Sequence, residues 1–145
     1  MFKTSLHHPG QEGVAAVEMA IVTPLFLLMM FSIMEFGVIL FDKAVITTAS
    51  REAARAGIVS RSPPLGATQI MAVGNAFAAN VVGTGSAPPS TTVSTLPPDA
   101  VGTPLSVTVS YAYQPLVLSM LGQLFGGNLI SNPVQLTAKT TMYME

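Results

Sequence analysis

Residues 14–41 read VAAVEMAIVTPLFLLMMFSIMEFGVILF. Its only charged residues are Glu18 and Glu35. About 20 apolar residues suffice to cross the hydrocarbon core of a bilayer, because each adds about 1.5 Å of helix. The stretch therefore predicts a single transmembrane helix. Pro24 lacks a backbone N–H and predicts a kink within that helix.

The composition of the whole chain agrees with a protein that is partly dissolved in lipid. Of the 145 residues, 50% are hydrophobic and only 9% are charged, whereas charged residues make up about 25% of an ordinary soluble domain. The formal net charge of −1 gives no electrostatic reason to expect nucleic acid as a partner.

Three kinds of N-terminal segment contain an apolar run of this type. A cleaved secretory signal has a short apolar region followed closely by a small-x-small cleavage site, and this run is too long and lacks such a site. A plain signal anchor is the second kind. The third is a prepilin segment, which is cut before the apolar run so that the run is retained. The sequence GVAAVE at 13–18 favours the third, with the cut between Gly13 and Val14.

The two carboxylates have separate interpretations. Cleavage after Gly13 would create an ammonium group on Val14, and Glu18 could neutralise it on the same chain or on a neighbour, because an isolated charge in lipid is expensive. The alternative for Glu18 is an unpaired carboxylate at headgroup level. Glu35 either lies near the far interface or bonds across to another helix, and the sequence does not decide between these.

Residues 42–61, DKAVITTASREAARAGIVSR, continue the helical pattern beyond the membrane. Apolar residues spaced three, four and three apart predict a packing face made mostly of alanine. One helix from about Val14 to Val59 would be on the order of 70 Å long. Ser62-Pro63-Pro64 ends it. The residues of the predicted packing face are Ile46, Ala49, Ala53 and Ala56.

Residues 13–56 resemble the N-terminal signature of the TadE-like family, the pseudopilins of the tight adherence (Tad, or Flp) pilus systems. The resemblance rests on an ordered set of motifs: the glycine before VAAVE, the TPL that follows, MEFG with the second glutamate, and ASREAARA. It implies cleavage by a prepilin peptidase, an anchor in the inner membrane lipid, and contact with other pilins or pseudopilins during pilus assembly.

The C-terminal half predicts a small α+β domain. Residues 65–82 carry a helical stripe of Ile70, Val73 or Gly74, Phe77 and Val81. Residues 105–113, LSVTVSYAY, alternate as a strand with one buried face, residues 134–143 predict another, and a weaker strand lies near 91–96. Two strands, a weaker third and a helix indicate an antiparallel sheet packed on the stem or on the second helix.

The apolar segment 115–125, PLVLSMLGQLF, is a short helix or an apolar loop. It either covers the sheet or forms an exposed patch, and exposed apolar patches often mark contacts with partners.

The residues for enzymatic chemistry are missing from the predicted mature chain. The histidines, His7 and His8, lie in the predicted leader, and the chain has no cysteine. Triads built on Ser/His/Asp or Cys/His therefore cannot form after cleavage. We expect no enzymatic activity, no metal site and no cofactor.

The sequence thus predicts a cytoplasmic leader at 1–13, a transmembrane helix and stem at 14–61, and a periplasmic α+β domain at 62–145. The predicted protein is a minor pilin or pseudopilin of a Tad (type IVb, Flp) pilus, anchored by one span in the bacterial inner membrane and associated with pili at the cell surface. The alternative is a membrane-anchored periplasmic binding module that joins no filament. The positive-inside rule weakly favours the opposite orientation, and the prepilin interpretation overrides it.

Overall fold

The structure, a computed structural model, describes residues 9–59, 65–83, 85–94, 102–124 and 133–143. This part of the chain contains three helices and three strands. In chain order they are α1 (Pro9–Ile58), α2 (Ala67–Ala78), β1 (Ser90–Val93), β2 (Pro104–Tyr113), α3 (Leu116–Leu124) and β3 (Val134–Tyr143).

Helix α1 is one continuous element of 50 residues, about 75 Å long. It begins before Val14 and ends one residue short of the predicted Val59. Pro24 lies inside it. Leucine, methionine, alanine and glutamate, which favour helices, are common along this segment, and no second proline or glycine pair interrupts it before Ile58.

The strands form one antiparallel sheet in the order β1-β2-β3. The central strand β2 alternates as predicted: its inward side chains are buried, whereas those between them are less buried except at Ser106. Its Val109 pairs with Thr91 of β1 and with Ala138 of β3. The inward residues of β2 are Leu105, Val107, Val109, Tyr111 and Tyr113.

The core lies between the inward face of this sheet and the helices. One cluster joins Ile46 and Ala49 of α1 to Ala78 of α2 and Val109 of β2. A second cluster, nearer the C-terminal end of α1, includes Ile70 of α2 and Leu105 of β2. The result is a two-layer arrangement of helices on one face of an antiparallel sheet, which confirms the predicted α+β class.

The stem of α1 packs through small residues. Ile46, Ala49 and Ala53 are fully buried, whereas Ala56 is partly exposed and its neighbour Gly57 is buried. A Cβ atom added at Gly57 would lie 2.4 Å from Leu105 Cδ2. A side chain at this position would displace the ends of the Leu105 and Ile70 side chains, so glycine lets the sheet and α2 pack closely on the end of the stem. Residues 60–64, which include the predicted stop at Pro63-Pro64, lie outside the described residues.

The predicted buried face of α2 is wrong at Phe77. The buried residues are Ile70, Gly74 and Ala78, each four apart, and Phe77 is largely exposed. The reason is the contact at Gly74, where an added Cβ would lie 2.7 Å from Thr91 Cγ2. Strand β1 occupies the space beside the glycine, so the helix presents the Gly74 side to the core.

Helix α3 packs chiefly against α1. The segment 115–125 is therefore helical over Leu116–Leu124, and its main contact is with the long helix and not with the sheet. Residue 125 lies outside the described residues.

Candidate membrane and assembly site

The N-terminal part of α1 lies largely outside the core of the domain. Within 13–34 every residue is exposed except Leu28 and Ser32, which are half-buried. By length and composition, α1 is the one helix in the described part of the chain that could cross a membrane, and none of its apolar window is buried. A core helix of a soluble protein would be mostly covered, so this exposure favours membrane anchoring.

The residues of the predicted cleavage site lie on this exposed segment. Val14 and Glu18 are both exposed, and residues four apart share one face of a helix at a rise of about 6 Å. A Cβ atom added at Gly13 would meet nothing within 4 Å. All three positions are therefore open to a peptidase or to a neighbouring helix, and none supports the fold of the domain.

Glu35 does not share this exposure. It is only 7% exposed, and its Oε1 accepts hydrogen bonds from the backbone N–H groups of Leu116 and of Val117, the latter at 3.2 Å. These are the first two residues of α3. The carboxylate thus binds the N-terminal end of another helix, where unpaired N–H groups and the helix dipole favour a negative charge.

A cavity of about 210 Å³ adjoins this contact. It joins Phe31 and Met34 of α1 to Leu116 of α3, Val82 of the loop after α2, and Tyr113 at the end of β2. Its walls are almost entirely apolar apart from the carboxylate of Glu35. Among the described residues, no group of three or more His, Cys, Asp or Glu could hold a metal ion.

Residues 13–55 match the family model described as TadE-like protein. The N-terminal segment of this chain is TadE-like. The match confirms the resemblance predicted from the sequence, begins at the glycine of the predicted cleavage site and ends within the stem of α1. No curated protein and no solved structure matches the chain.

The TadE-like family is a pilus structural family and is not known to be enzymatic. The match indicates a Tad pilus-related protein that interacts with other pilus components. Together with the long exposed apolar helix, it also indicates membrane anchoring.

The TadE-like segment contains a second buried carboxylate that sequence reasoning missed. Asp42 is fully buried, and its Oδ1 accepts from Val82 N–H at 2.8 Å while its Oδ2 accepts from Gly83 N–H at 3.0 Å. A Cβ atom added at Gly83 would lie 2.3 Å from Asp42 Oδ2 and 2.6 Å from Tyr113 Cδ2. Asp42 therefore fixes the loop after α2 onto α1, and only glycine fits at the contact.

The burial of both carboxylates could have been predicted from the sequence, because they lie on the same helix face as the packing residues of the stem. Glu35, Ile39, Asp42, Ile46 and Ala49 recur at spacings of four, three, four and three, so they lie on one face of the TadE-like helix. A carboxylate on a stripe that is otherwise apolar is expected to be buried and hydrogen-bonded. The predicted packing face began at Ile46 and so omitted the two acidic members.

Tyr111 holds the same loop from the sheet side. Its hydroxyl donates to the Gly83 carbonyl at 2.7 Å and accepts from Gly85 N–H at 2.7 Å. A side chain at Gly85 would overlap the Tyr111 ring, because an added Cβ would lie 2.4 Å from Cε2. The loop that follows α2 is therefore held between α1 and β2.

Tyr113 lies beside both carboxylates of the TadE-like segment. Burial raises the pKa of its phenol above the usual 10.0, and the negative charges of Glu35 and Asp42 raise it further. The folded protein therefore keeps the phenol neutral more firmly than the unfolded chain does. This stabilisation is complete below about pH 10 and is lost as the pH rises through the folded-state pKa.

We expect Tyr113→Phe to remove this alkaline sensitivity. Above about pH 10, the free energy of unfolding in detergent should fall more steeply with pH for the parent chain than for the variant. The difference between their ultraviolet tyrosinate titrations should show one phenol that ionises above its usual pH. Identical alkaline unfolding curves would contradict the placement of Tyr113 beside two carboxylates.

Proposed function

We propose that the chain is a minor pilin or pseudopilin that helps to assemble a Tad (type IVb, Flp) pilus. A prepilin peptidase cuts it between Gly13 and Val14 on the cytoplasmic side of the inner membrane. The remaining apolar helix anchors the protein by a single span, and the domain at 62–145 lies in the periplasm, packed on the stem and available to partner pilins. In a pilus, the same domain would be displayed at the cell surface.

One observation carries this proposal: the TadE-like match begins at Gly13, and Glu18 lies exposed one helical turn beyond the predicted new N-terminus. The ammonium group of Val14 would be a positive charge at the end of an apolar helix. A carboxylate at this distance can pair with it, on its own chain or on an adjacent subunit, and thereby reduce the cost of a charge in lipid.

A neighbour-to-neighbour pair would also set the axial register of a growing filament. The last subunit added would have one charge, the Val14 ammonium group or the Glu18 carboxylate, without a partner, and an incoming subunit would supply the opposite charge. Only one axial position of the incoming subunit would neutralise both charges. The surrounding helix surface from Val14 to Met34 is mostly exposed and mostly apolar, which suits lateral packing against other pilin helices.

The native N-terminus tests the proposal. We expect mass spectrometry of the protein purified from its native host to show a chain that begins at Val14. A chain that still carries Met1 while pili form normally would support the alternative, a membrane-anchored periplasmic binding module that joins no filament.

Gly13→Val is the matched variant for this measurement. The position is open, and an added Cβ meets no neighbour, so the substitution should leave the fold and the membrane insertion intact. We expect it to retain the leader in the same host. If the Gly13→Val chain is processed like the parent chain, Gly13 does not define the cleavage site.

A further inference from the structure

Helix α3 exposes an apolar face that no part of the described chain covers. It has no charged residue, and its Leu116 and Met120, four apart on one side, are 55% and 71% exposed. The exposed Gln123 lies on the same side near the C-terminal end of the helix and is the polar residue of this face. We propose that this face contacts the lipid bilayer, so that α3, unlike the rest of the periplasmic domain, lies against the hydrocarbon beside the α1 span and covers Glu35 from lipid. This proposal rests on membrane anchoring and is independent of incorporation into a pilus.

The position of α3 along the axis of α1 places α3 at the depth of the membrane. The apolar run from Val14 to Phe41 is about 42 Å long, whereas the hydrocarbon core is about 30 Å thick, or about 20 helical residues. Phe31 lies inside every 20-residue window that fits within this run. Leu116 lines the same cavity as Phe31 and Met34, so the beginning of α3 is at the depth of the hydrocarbon or at its edge.

The contact with Glu35 makes the end of α3 compatible with lipid. The first N–H groups of a helix have no partners within the helix, and hydrocarbon offers no water that could bind an unpaired N–H group. Oε1 of Glu35 accepts from Leu116 N–H and Val117 N–H. In return, α3 covers a carboxylate that would otherwise face lipid at this depth.

The apolar surface of α3 continues onto its neighbours. Val82, exposed on the loop that Asp42 holds, lines the same cavity, and Phe31 and Met34 of α1 are themselves exposed. None of the residues in 102–124 is charged. The lipid-facing surface of α1 therefore continues sideways onto α3 and Val82.

The chain has no cysteine, so single cysteines can report the surroundings of chosen positions. The experiment uses the full chain in phosphatidylcholine–phosphatidylglycerol vesicles, with an environment-sensitive fluorophore on Met120→Cys. Met29→Cys, in the middle of the apolar run, is the positive control. Tyr143→Cys is the matched control, because Tyr143 is also a large exposed residue, at 62%, but belongs to the sheet end that packs near Ile58.

We expect nitroxide groups on lipid acyl chains to quench the Met120 label at least about threefold more strongly than the Tyr143 label, since apolar helix faces bury several ångströms into the acyl boundary. Aqueous iodide should quench the two labels in the opposite order. The Leu116→Cys label should behave like the Met120 label, which makes the result independent of one substitution.

Three outcomes would overturn the proposal. Met120 and Tyr143 labels that are equally open to iodide would place α3 in water. A Met120 label shielded from both quenchers would show a protein occupant, such as a second copy of this chain. A Met29 label that the lipid nitroxides do not quench would show that α1 does not cross the membrane. None of these measurements needs a peptidase or another pilin, so their failure is distinguishable from failure of the pilus assignment.

Discussion

Asp42→Ala is expected to lower the free energy of unfolding of the domain by about 2–6 kcal/mol. The variant would leave the N–H groups of Val82 and Gly83 without their partner, and each buried unpaired group costs about 1–3 kcal/mol. Such a loss is a large fraction of the 5–15 kcal/mol that stabilises a typical domain. Urea unfolding in detergent, followed by near-ultraviolet circular dichroism of the buried tyrosines, measures it.

Two further variants make this result specific. Asp42→Asn keeps one carbonyl oxygen and should lose roughly half as much stability, because only one of the two N–H groups would retain an acceptor. Glu52→Gln alters a carboxylate on a half-buried position of the same helix and should change the unfolding free energy little. If Asp42→Ala unfolds at the same urea concentration as the parent chain, Asp42 does not hold the loop.

Glu18→Ala is expected to leave the protein folded and inserted in the membrane but to weaken its association with other pilins about 100-fold or more. Breaking a buried ion pair by removing one partner costs about 3–5 kcal/mol, and each 1.4 kcal/mol is a tenfold change in affinity. Glu18 is exposed and supports nothing in the domain. Co-purification of pilins from detergent extracts of the native host, together with the amount in the membrane fraction, measures the two effects.

Glu18→Gln separates charge from shape in this experiment. It keeps the size of the side chain but cannot neutralise an ammonium group, so we expect it to fail like Glu18→Ala. Met19→Ala, at the adjacent exposed position, controls for loss of side-chain volume and should assemble normally. Normal assembly of the Glu18→Gln variant would refute pairing with the Val14 amine.

The regular elements were predictable because their patterns are local. The alternation over 105–113 has period two and was found as strand β2, since the inward side chains are buried against the helices and the outward ones, apart from Ser106, are less buried. The long apolar run was likewise sufficient for α1. Helix α2 was found, but its buried side was misjudged at Phe77. Strand β1 packs beside Gly74 and thereby determines which side of α2 is buried. The periodicity of the α2 sequence does not show this contact, because β1 lies outside the helix.

The candidate site was less predictable for the same reason. The sequence identified Glu18 and Gly13 through a motif, and their roles remain predictions. It left two alternatives for Glu35, because the N–H groups that it binds belong to a helix about 80 residues later. It missed Asp42 entirely, since the partners are backbone groups of a loop, which any sequence possesses. A motif made of side chains is visible in the sequence. Nearly every residue has a backbone N–H group, so the sequence does not show which of these groups a buried carboxylate will bind.

Helix α1 runs without interruption from the apolar segment into the stem, so a tilt of its membrane-spanning part also tilts the stem. Between Glu35 and Ile58 the helix has no interruption and extends about 34 Å. A tilt of about 20°, the average for membrane helices, would move the far end of the stem sideways by about 12 Å. Because the sheet is packed on this stem, a thinner bilayer that increases the tilt would swing the whole domain toward the membrane surface and bring a different side of it to an approaching subunit.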